Sequence, residues 1–455
     1  MSEKPLSAKE LLKHPAFSSN DWNLQPAKSG HATVASSRRG GPFPLWYEIH
    51  GAGPTKIVWI MGLGSPAEHW KRQTQYFGHE NKNRYSSLVF DNRGIGKTAS
   101  PTCLYKTTEM AQDVVDLLQI LKWIDLAEPI KNLHVVGISL GGMIAQELAL
   151  LIPGHISSLS VVSSSPRLAR TAPSLDSWKK HITMLVPVGI DGELQRLSER
   201  LFSEEWLKKP DTENADPAQN FPLNQDRFAA DELLSRQNTQ VSFKGFMLQA
   251  IGAAMHYKSE SQLAEIATSI GHSRIMVVHG EIDQFIPFHH FEFFKSGFGL
   301  EGIEYLVFPG CGHLPLWENE AEFNSALERL IHTTTGLTTR LWILDPDIHY
   351  EDLIGNVRMY QFNTLRHGYK SFYPGITTLV TGYQCANQEY DPLFLPPRRA
   401  DVGALLEQTH QPDSLALYGG TRHDFGTRTN VTVSEQRFGK EEAFVQAVKF
   451  FRSWA

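Results

Sequence analysis

Ser139 stands in the run Val135-Val136-Gly137-Ile138-Ser139-Leu140-Gly141-Gly142, where an apolar stretch breaks into a glycine-flanked corner. The spacing G-x-S-x-G at such a corner is that of a nucleophile elbow, which pushes a serine hydroxyl out of a strand end to where a carbonyl carbon can reach it. Glycines are needed because the serine backbone is strained and side chains on its neighbours would clash at the turn. Ile144, Leu148 and Leu151 then recur on one face and predict an amphipathic helix directly after the corner.

A serine hydroxyl is a poor nucleophile until a base accepts its proton, so the corner predicts a histidine downstream and an acid to orient it. His313 closes the turn Pro309-Gly310-Cys311-Gly312-His313, which follows the strand-like run Glu304 to Phe308. Asp283 lies in Gly280-Glu281-Ile282-Asp283, directly after the run Arg274 to His279. Glu281 competes for the acid role; Asp283 is preferred for its third position after Gly280 and for Pro287 four residues on. A developing oxyanion needs donors that are fixed before the charge appears, and backbone amides meet that need. The Leu140 amide, at the head of the helix after the corner, is one candidate and gains from the helix dipole. The Leu63 amide, in the glycine-rich turn Gly62-Leu63-Gly64-Ser65 after the run Lys56 to Met61, is the other.

These residues must be carried by elements that end at one edge. Further strand-like runs appear at Leu45 to His50, Tyr85 to Phe90, Leu133 to Gly137 and Leu159 to Ser163, with helical periodicity between them. One helix places Met110, Val114, Leu117, Leu118 and Leu121 on a single face. Short continuous apolar strands alternating with helices predict an α/β fold, a mainly parallel sheet with helices on both faces. Ligands in such folds collect beyond the carboxyl ends of the strands. From about 167 to 262 the strand signal stops, and Trp178, Phe202, Trp206, Phe228, Phe243 and Phe246 mark a helical, aromatic insertion expected to cap those ends. Residues 1–44, polar and rich in Ser, Gly and Pro, read as a tail outside the core.

The chain has 455 residues, with 43 Lys plus Arg against 49 Asp plus Glu, and its net charge of −6 offers no electrostatic reason to expect nucleic acid or an anionic membrane as partner. No 18-residue apolar run and no apolar leader follow Met1, so neither a membrane span nor secretion is expected and a cytoplasmic setting is. Cys103, Cys311 and Cys385 are odd in number and lack metal-type spacing, which predicts reduced thiols. Gly94-Ile95-Gly96-Lys97-Thr98 resembles the end of a phosphate-binding loop but lacks the preceding spacing, and predicts a turn.

From Leu45 to about His332 the chain resembles the α/β-hydrolase superfamily in its capped, lipase- and esterase-like branch. The motifs are Met61-Gly62-Leu63-Gly64, Asp91-Asn92-Arg93-Gly94-Ile95-Gly96, the elbow, Gly280-x-x-Asp283 and Gly310-Cys311-Gly312-His313, in that order. Met61-Gly62 stands where the family commonly has His-Gly, which alters pocket polarity and leaves the backbone donors in place. Epoxide hydrolases and dehalogenases of this branch use an aspartate nucleophile, and Ser139 argues against both.

After Thr333-Thr334-Thr335-Gly336, which reads as a linker, residues 335–455 resemble the closing third of dienelactone hydrolases. The resemblance rests on Asp391-Pro392-Leu393-Phe394, on Leu417 to Phe425, and on the helix repeating Phe444, Ala447, Val448 and Phe451. The family's G-x-C-x-G elbow is missing, and His423-Asp424-Phe425 replaces its usual His-Gly-Phe, so this extension is expected to be non-catalytic. Its apolar stripe predicts docking on the main domain or self-association.

The resemblance implies a serine hydrolase acting on an ester, thioester or related acyl bond of a small, moderately apolar molecule, through Ser139, His313, Asp283 and the Leu63 and Leu140 amides, without metal or organic cofactor. Transfer of the acyl group to another acceptor, cleavage of a carbon–carbon bond, and a slow-turnover ligand receptor are alternatives on the same residues.

Overall fold

The computed structural model describes residues 4–168, 188–214, 216–239 and 242–335. All of these but Thr335 belong to one compact unit, Met1–Thr334. Trp178 lies outside the described residues, as does the dienelactone-hydrolase-like extension from 336 on, with Cys385, Asp391 and His423.

Eight strands form one sheet: β1 Lys28–Val34, β2 Phe43–His50, β3 Thr55–Ile60, β4 Tyr85–Phe90, β5 Leu133–Ile138, β6 Ile156–Val162, β7 Ile275–Gly280 and β8 Glu304–Phe308. Their order is β1-β2-β4-β3-β5-β6-β7-β8. From β4 across to β8 every pairing is parallel, while β2 pairs antiparallel with β4 and with β1. Crossing helices cover both faces of the parallel part, and accordingly β5, β6 and β7 are buried at every position.

The helices used below are α1 Ala8–Leu11, α2 Thr107–Ile120, α3 Leu140–Leu151, α4 Gly189–Leu201, α5 Glu204–Leu207, α6 Asn224–Asn238, α7 Phe243–Met255, α8 Glu260–Ile270, α9 His289–Phe298 and α10 Glu320–Thr335. On one face Met110, Val114, Leu117 and Leu118 of α2 pack with α3, α8 and α9 against Val58, Val135 and Leu159. On the other, Phe323, Leu327 and Ile331 of α10 join Trp59, Trp70 and Phe77. The segment after the elbow departs from the expected amphipathic pattern. Leu140 to Ala149 of α3 are buried without interruption, whereas Leu151 is 40 % exposed. A central helix, wrapped by neighbours on all sides, loses the polar stripe that a surface helix keeps.

Residues 1–44 are not the polar tail that their composition suggests. Leu11 and Ala16 are fully buried beside Leu194, Ala230 and Leu233, and β1 extends the sheet. The strand was hidden because it lies at an edge: of Lys28–Val34 only Ala32 and Val34 are buried, so polar residues and Gly30 fill the remaining positions. The loop after β1 is tied to the core by charge. Arg38 donates to Asp113 at 2.8 Å and to Asp116 at 2.6 Å. The buried Arg93 adds two bonds to the Asp113 carboxylate, at 2.6 and 2.7 Å.

Removing one member of a buried ion network typically costs about 3–5 kcal/mol, because the remaining charges are left unpaired in a poorly solvating site. Asp113→Ala is therefore expected to lose stability on that scale, read as a lowered urea midpoint; an unchanged midpoint would contradict the network's role. Acid should also destabilise the fold through His134 of β5. It is 1 % exposed, with Nδ1 2.8 Å from Ser158 Oγ, and burial pushes its pKa down to about 3. The folded chain then binds fewer protons than the unfolded one below the ordinary histidine value. Stability should fall as pH drops from about 6.5 toward 3, by at most about 1.4 kcal/mol per pH unit from this residue. Stability measured against pH should decline less steeply in His134→Gln; identical slopes would count against it.

Candidate active site

β5 delivers Ser139 to the carboxyl edge of the sheet and α3 begins at the next residue. The chain turns there with Ser139 at φ 55°, ψ −119°, a region costing on the order of 1–3 kcal/mol for a non-glycine residue. The Ser139 amide donates to Val162 O at 2.9 Å, and Ser164 Oγ donates to Ser139 O at 2.7 Å. Bare backbone on both sides makes the corner possible. A Cβ on Gly137 would lie 2.3 Å from Gly141 O, and one on Gly141 would lie 1.9 Å from Ile60 O at the end of β3.

His313 follows β8, and its amide donates to Leu201 O at the end of α4 at 2.7 Å. The preceding Gly312 amide donates to Glu318 Oε1 at 2.8 Å, and the same carboxylate accepts from the amide and hydroxyl of Ser203. The histidine loop is thus pinned to the helical segment between β6 and β7. Cys311 in that loop is buried, and desolvation together with the neighbouring Glu318 raises its pKa, so it stays a thiol.

Asp283 follows β7. Its Oδ1 accepts from the amides of Phe285 at 2.8 Å and Ile286 at 2.9 Å, and its Oδ2 lies 2.7 Å from His313 Nδ1. Both residues are 5 % exposed. Because the carboxylate accepts, the histidine proton sits on Nδ1 and Nε2 is left as an acceptor. Glu281, the competing acid, instead accepts from the Gly310 amide at the surface. Behind the pair stands His279, fully buried, with Nε2 2.8 Å from Ile286 O and 3.6 Å from Asp283 Oδ2; burial lowers its pKa and keeps it neutral.

Ser139, Leu63, Leu140 and His313 line one cavity of about 1510 Å³, with Met61, Met143, Leu197, Leu201, Phe228 and Phe246 among the apolar residues around them. Among the described residues no hydrogen bond joins Ser139 Oγ to His313, and the Leu63 and Leu140 amides have no hydrogen-bond partner. A developing oxyanion requires backbone donors with no other partner. The Leu63 turn lies against the elbow, for a Cβ on Gly62 would stand 3.2 Å from Ser139 Cβ.

Sequence reasoning missed the residue that holds this turn. Gln249 of α7, fully buried, accepts from the Gly64 amide at 2.9 Å and donates to Arg93 O at 3.0 Å. Gly245, Gln249 and Gly252 share one face of α7 by their i, i+4, i+7 spacing, and a Cβ on either glycine would strike backbone, Gly94 O at 1.9 Å or Tyr105 O at 1.8 Å. The Gly-x3-Gln-x2-Gly spacing was the available signal. The Gly94 to Thr98 segment is a turn, as expected: the Lys97 amide donates to Asp91 Oδ2 at 2.8 Å. Of the aromatic residues of the insertion, Phe202 and Phe228 are buried and Phe246 packs on Gly64, while Phe243 is 72 % exposed. Among the described residues no cluster of three or more His, Cys, Asp or Glu could hold a metal ion.

A family model described as alpha/beta hydrolase fold matches residues 62–320. The chain is 28 % identical over 210 residues to a protein named as carbamate hydrolase RutD of Azorhizobium caulinodans, covering 45 % of this chain and 72 % of that protein. It is 22 % identical over 152 residues to 3-oxoadipate enol-lactonase 2 of Acinetobacter baylyi, covering 33 % of this chain and 51 % of that one. A solved hydrolase from Pseudomonas aeruginosa PA01 has the same fold, with a TM-score of 0.50 at 20 % identity over 68 % of this chain and 99 % of that chain. No described helix is long and apolar enough to cross a membrane. The family match over more than half of the chain, together with the parallel sheet and the elbow at the end of β5, makes this protein a hydrolase of the α/β-hydrolase superfamily.

Proposed function

We propose that the protein is a serine hydrolase that cleaves an ester, thioester or related acyl bond of a small, moderately apolar molecule. The observation that carries the reading is the 2.7 Å bond between His313 Nδ1 and the doubly anchored Asp283 carboxylate, at a cavity whose wall also holds Ser139. Ser139 Oγ attacks the substrate carbonyl carbon while its proton passes to His313 Nε2. Asp283 keeps the imidazole oriented and stabilises the imidazolium that forms. The Leu63 and Leu140 amides receive the oxyanion, the second at the positive end of α3. Collapse of the tetrahedral intermediate expels the leaving group, which takes the proton from His313. Water then attacks the acyl-enzyme with His313 again as base, and Ser139 is regenerated.

The segment α4–α7 acts as the cap, since Leu197, Leu201, Phe228 and Phe246 bring much of the apolar wall over the strand ends. The two relatives named above are called a carbamate hydrolase and an enol-lactonase; carbamates and lactones are both carbonyl compounds, which agrees with the carbonyl-centred chemistry proposed here.

A fluorophosphonate probe should form one adduct per chain on Ser139 and none on Ser139→Ala. Hydrolysis of p-nitrophenyl esters should fall on the order of 10⁴-fold in Asp283→Asn, where the imidazole takes the wrong tautomer. Full turnover by Ser139→Ala would refute the reading. Gln249 is a positioning residue through the Leu63 turn. Loss of an oxyanion donor typically costs about 10²- to 10³-fold in kcat, and a loosened turn costs less. Gln249→Met should therefore lower kcat about 10-fold or more with little change in KM; an unaltered kcat would remove Gln249 from the account.

A further inference from the structure

One polar group in the cavity wall takes no part in that mechanism. His290, the second residue of α9, is 3 % exposed and lines the same cavity as Ser139 and His313. Its Nδ1 lies 2.7 Å from Ser165 Oγ. Ser165 is itself fully buried, and its hydroxyl oxygen accepts from the Arg167 amide at 3.0 Å. Among the described residues the Ser165 hydroxyl has no acceptor other than the imidazole, so its one proton points there. His290 Nδ1 is then the acceptor, and the ring hydrogen of the neutral imidazole sits on Nε2. Burial drives the pKa of His290 down to about 3 against the opposing pull of Asp283, so the ring is neutral across the physiological range.

Among the described residues Nε2 has no hydrogen-bond partner. Its partner Ser165 directly follows Ser164, whose hydroxyl donates to the Ser139 carbonyl. The groups around it, His289 at 4.2 Å between ring centroids, His279, Asp283 and Arg167, leave the Nε2–H as a fixed, uncharged donor.

We propose that His290 Nε2–H is a substrate-recognition donor that reads an acceptor oxygen, of keto, ether or carbonyl type, on the substrate beside its scissile carbonyl. The natural substrates are accordingly oxygen-bearing acyl compounds and not plain hydrocarbon esters. This rests on the reading of Ser139 as the nucleophile. A site built around one donor discriminates against a ligand lacking the matching acceptor, since the donor is then desolvated and unpaired.

The test uses two ester series in which one ether oxygen replaces a methylene at successive positions, first in the acyl part of p-nitrophenyl esters, then in the alcohol part of acetate esters followed by acid release. For each oxygen-bearing ester, kcat/KM is divided by that of its all-methylene analogue, and the quotient is compared between native protein and His290→Phe. Intrinsic reactivity cancels in that comparison. At the best position the native quotient should exceed the variant's by about 3- to 10-fold, the scale of one hydrogen bond, and His290→Gln, which restores an N–H donor, should recover part of it. Equal quotients at every position in both series would overturn the proposal. Nitrogen NMR of the native protein gives a reading independent of any variant's folding: a protonated Nε2 with bare Nδ1 is expected at His290, and the reverse tautomer would overturn the donor. Equal quotients with a stoichiometric Ser139 adduct would sink only the donor; absence of that adduct from native protein would sink the nucleophile as well.

Discussion

The backbone corner at Ser139 is the constraint on which the rest depends. A positive-φ serine survives there only because Gly141 lies on Ile60 O and Gly137 lies on Gly141 O, contacts that admit no Cβ. That close approach locks the start of α3 onto the end of β3, and β3 and β5 must therefore be neighbours in the sheet. Once they are, the loop leaving β3 falls beside the loop leaving β5, with Gly62 against Ser139. The strain is held in place by a continuous buried helix, which explains why α3 carries no polar stripe along Leu140 to Ala149.

The remaining groups are held from above as well as from below. The sheet sets Asp283 and His313 at the ends of β7 and β8, and the His313 loop and the Leu63 turn are also fixed by partners from the helical segment between β6 and β7. Leu201 O receives the amides of His313 and Leu314, Ser203 shares Glu318 with Gly312, and Gln249 spans Gly64 and Arg93. Each such bond contributes only about 1 kcal/mol net, yet leaving its buried partner unsatisfied costs more. On the proposed reading, a segment that lines the cavity and also supports the His313 loop and the Leu63 turn couples substrate access to the geometry of the reacting groups.

Much of this was legible in the chain because it is local. Seven of the strands announced themselves as short apolar runs, and Ser139, Asp283 and His313 each follow one of them within a few residues, so topology alone brings them to one edge. β1 was not legible: its alternation is confined to Ala32 and Val34, too short a run to mark a strand, and Lys28 to Gly30 show none. Glu318 and His290 were silent for a different reason, and Gln249 was marked only by the glycines spaced around it. Their importance lies in partners far along the chain, Gly64 for Gln249, Ser203 for Glu318 and Ser165 for His290, and a polar residue on a helix carries no mark of such a partner. The Leu151 expectation failed because helical periodicity reports a one-sided environment and α3 has neighbours all round, with only its last residue emerging.

The most direct measurement is a crystal structure of the native protein carrying a phosphonate on its nucleophile, a tetrahedral stand-in for the reaction intermediate. The account predicts phosphorus bonded to Ser139 Oγ, the phosphonyl oxygen about 2.7–3.1 Å from both the Leu63 and Leu140 amides, and His313 Nε2 within hydrogen-bond reach of the serine oxygen. A phosphonyl oxygen directed away from those amides, or an imidazole turned out of the cavity with its bond to Asp283 broken, would contradict it.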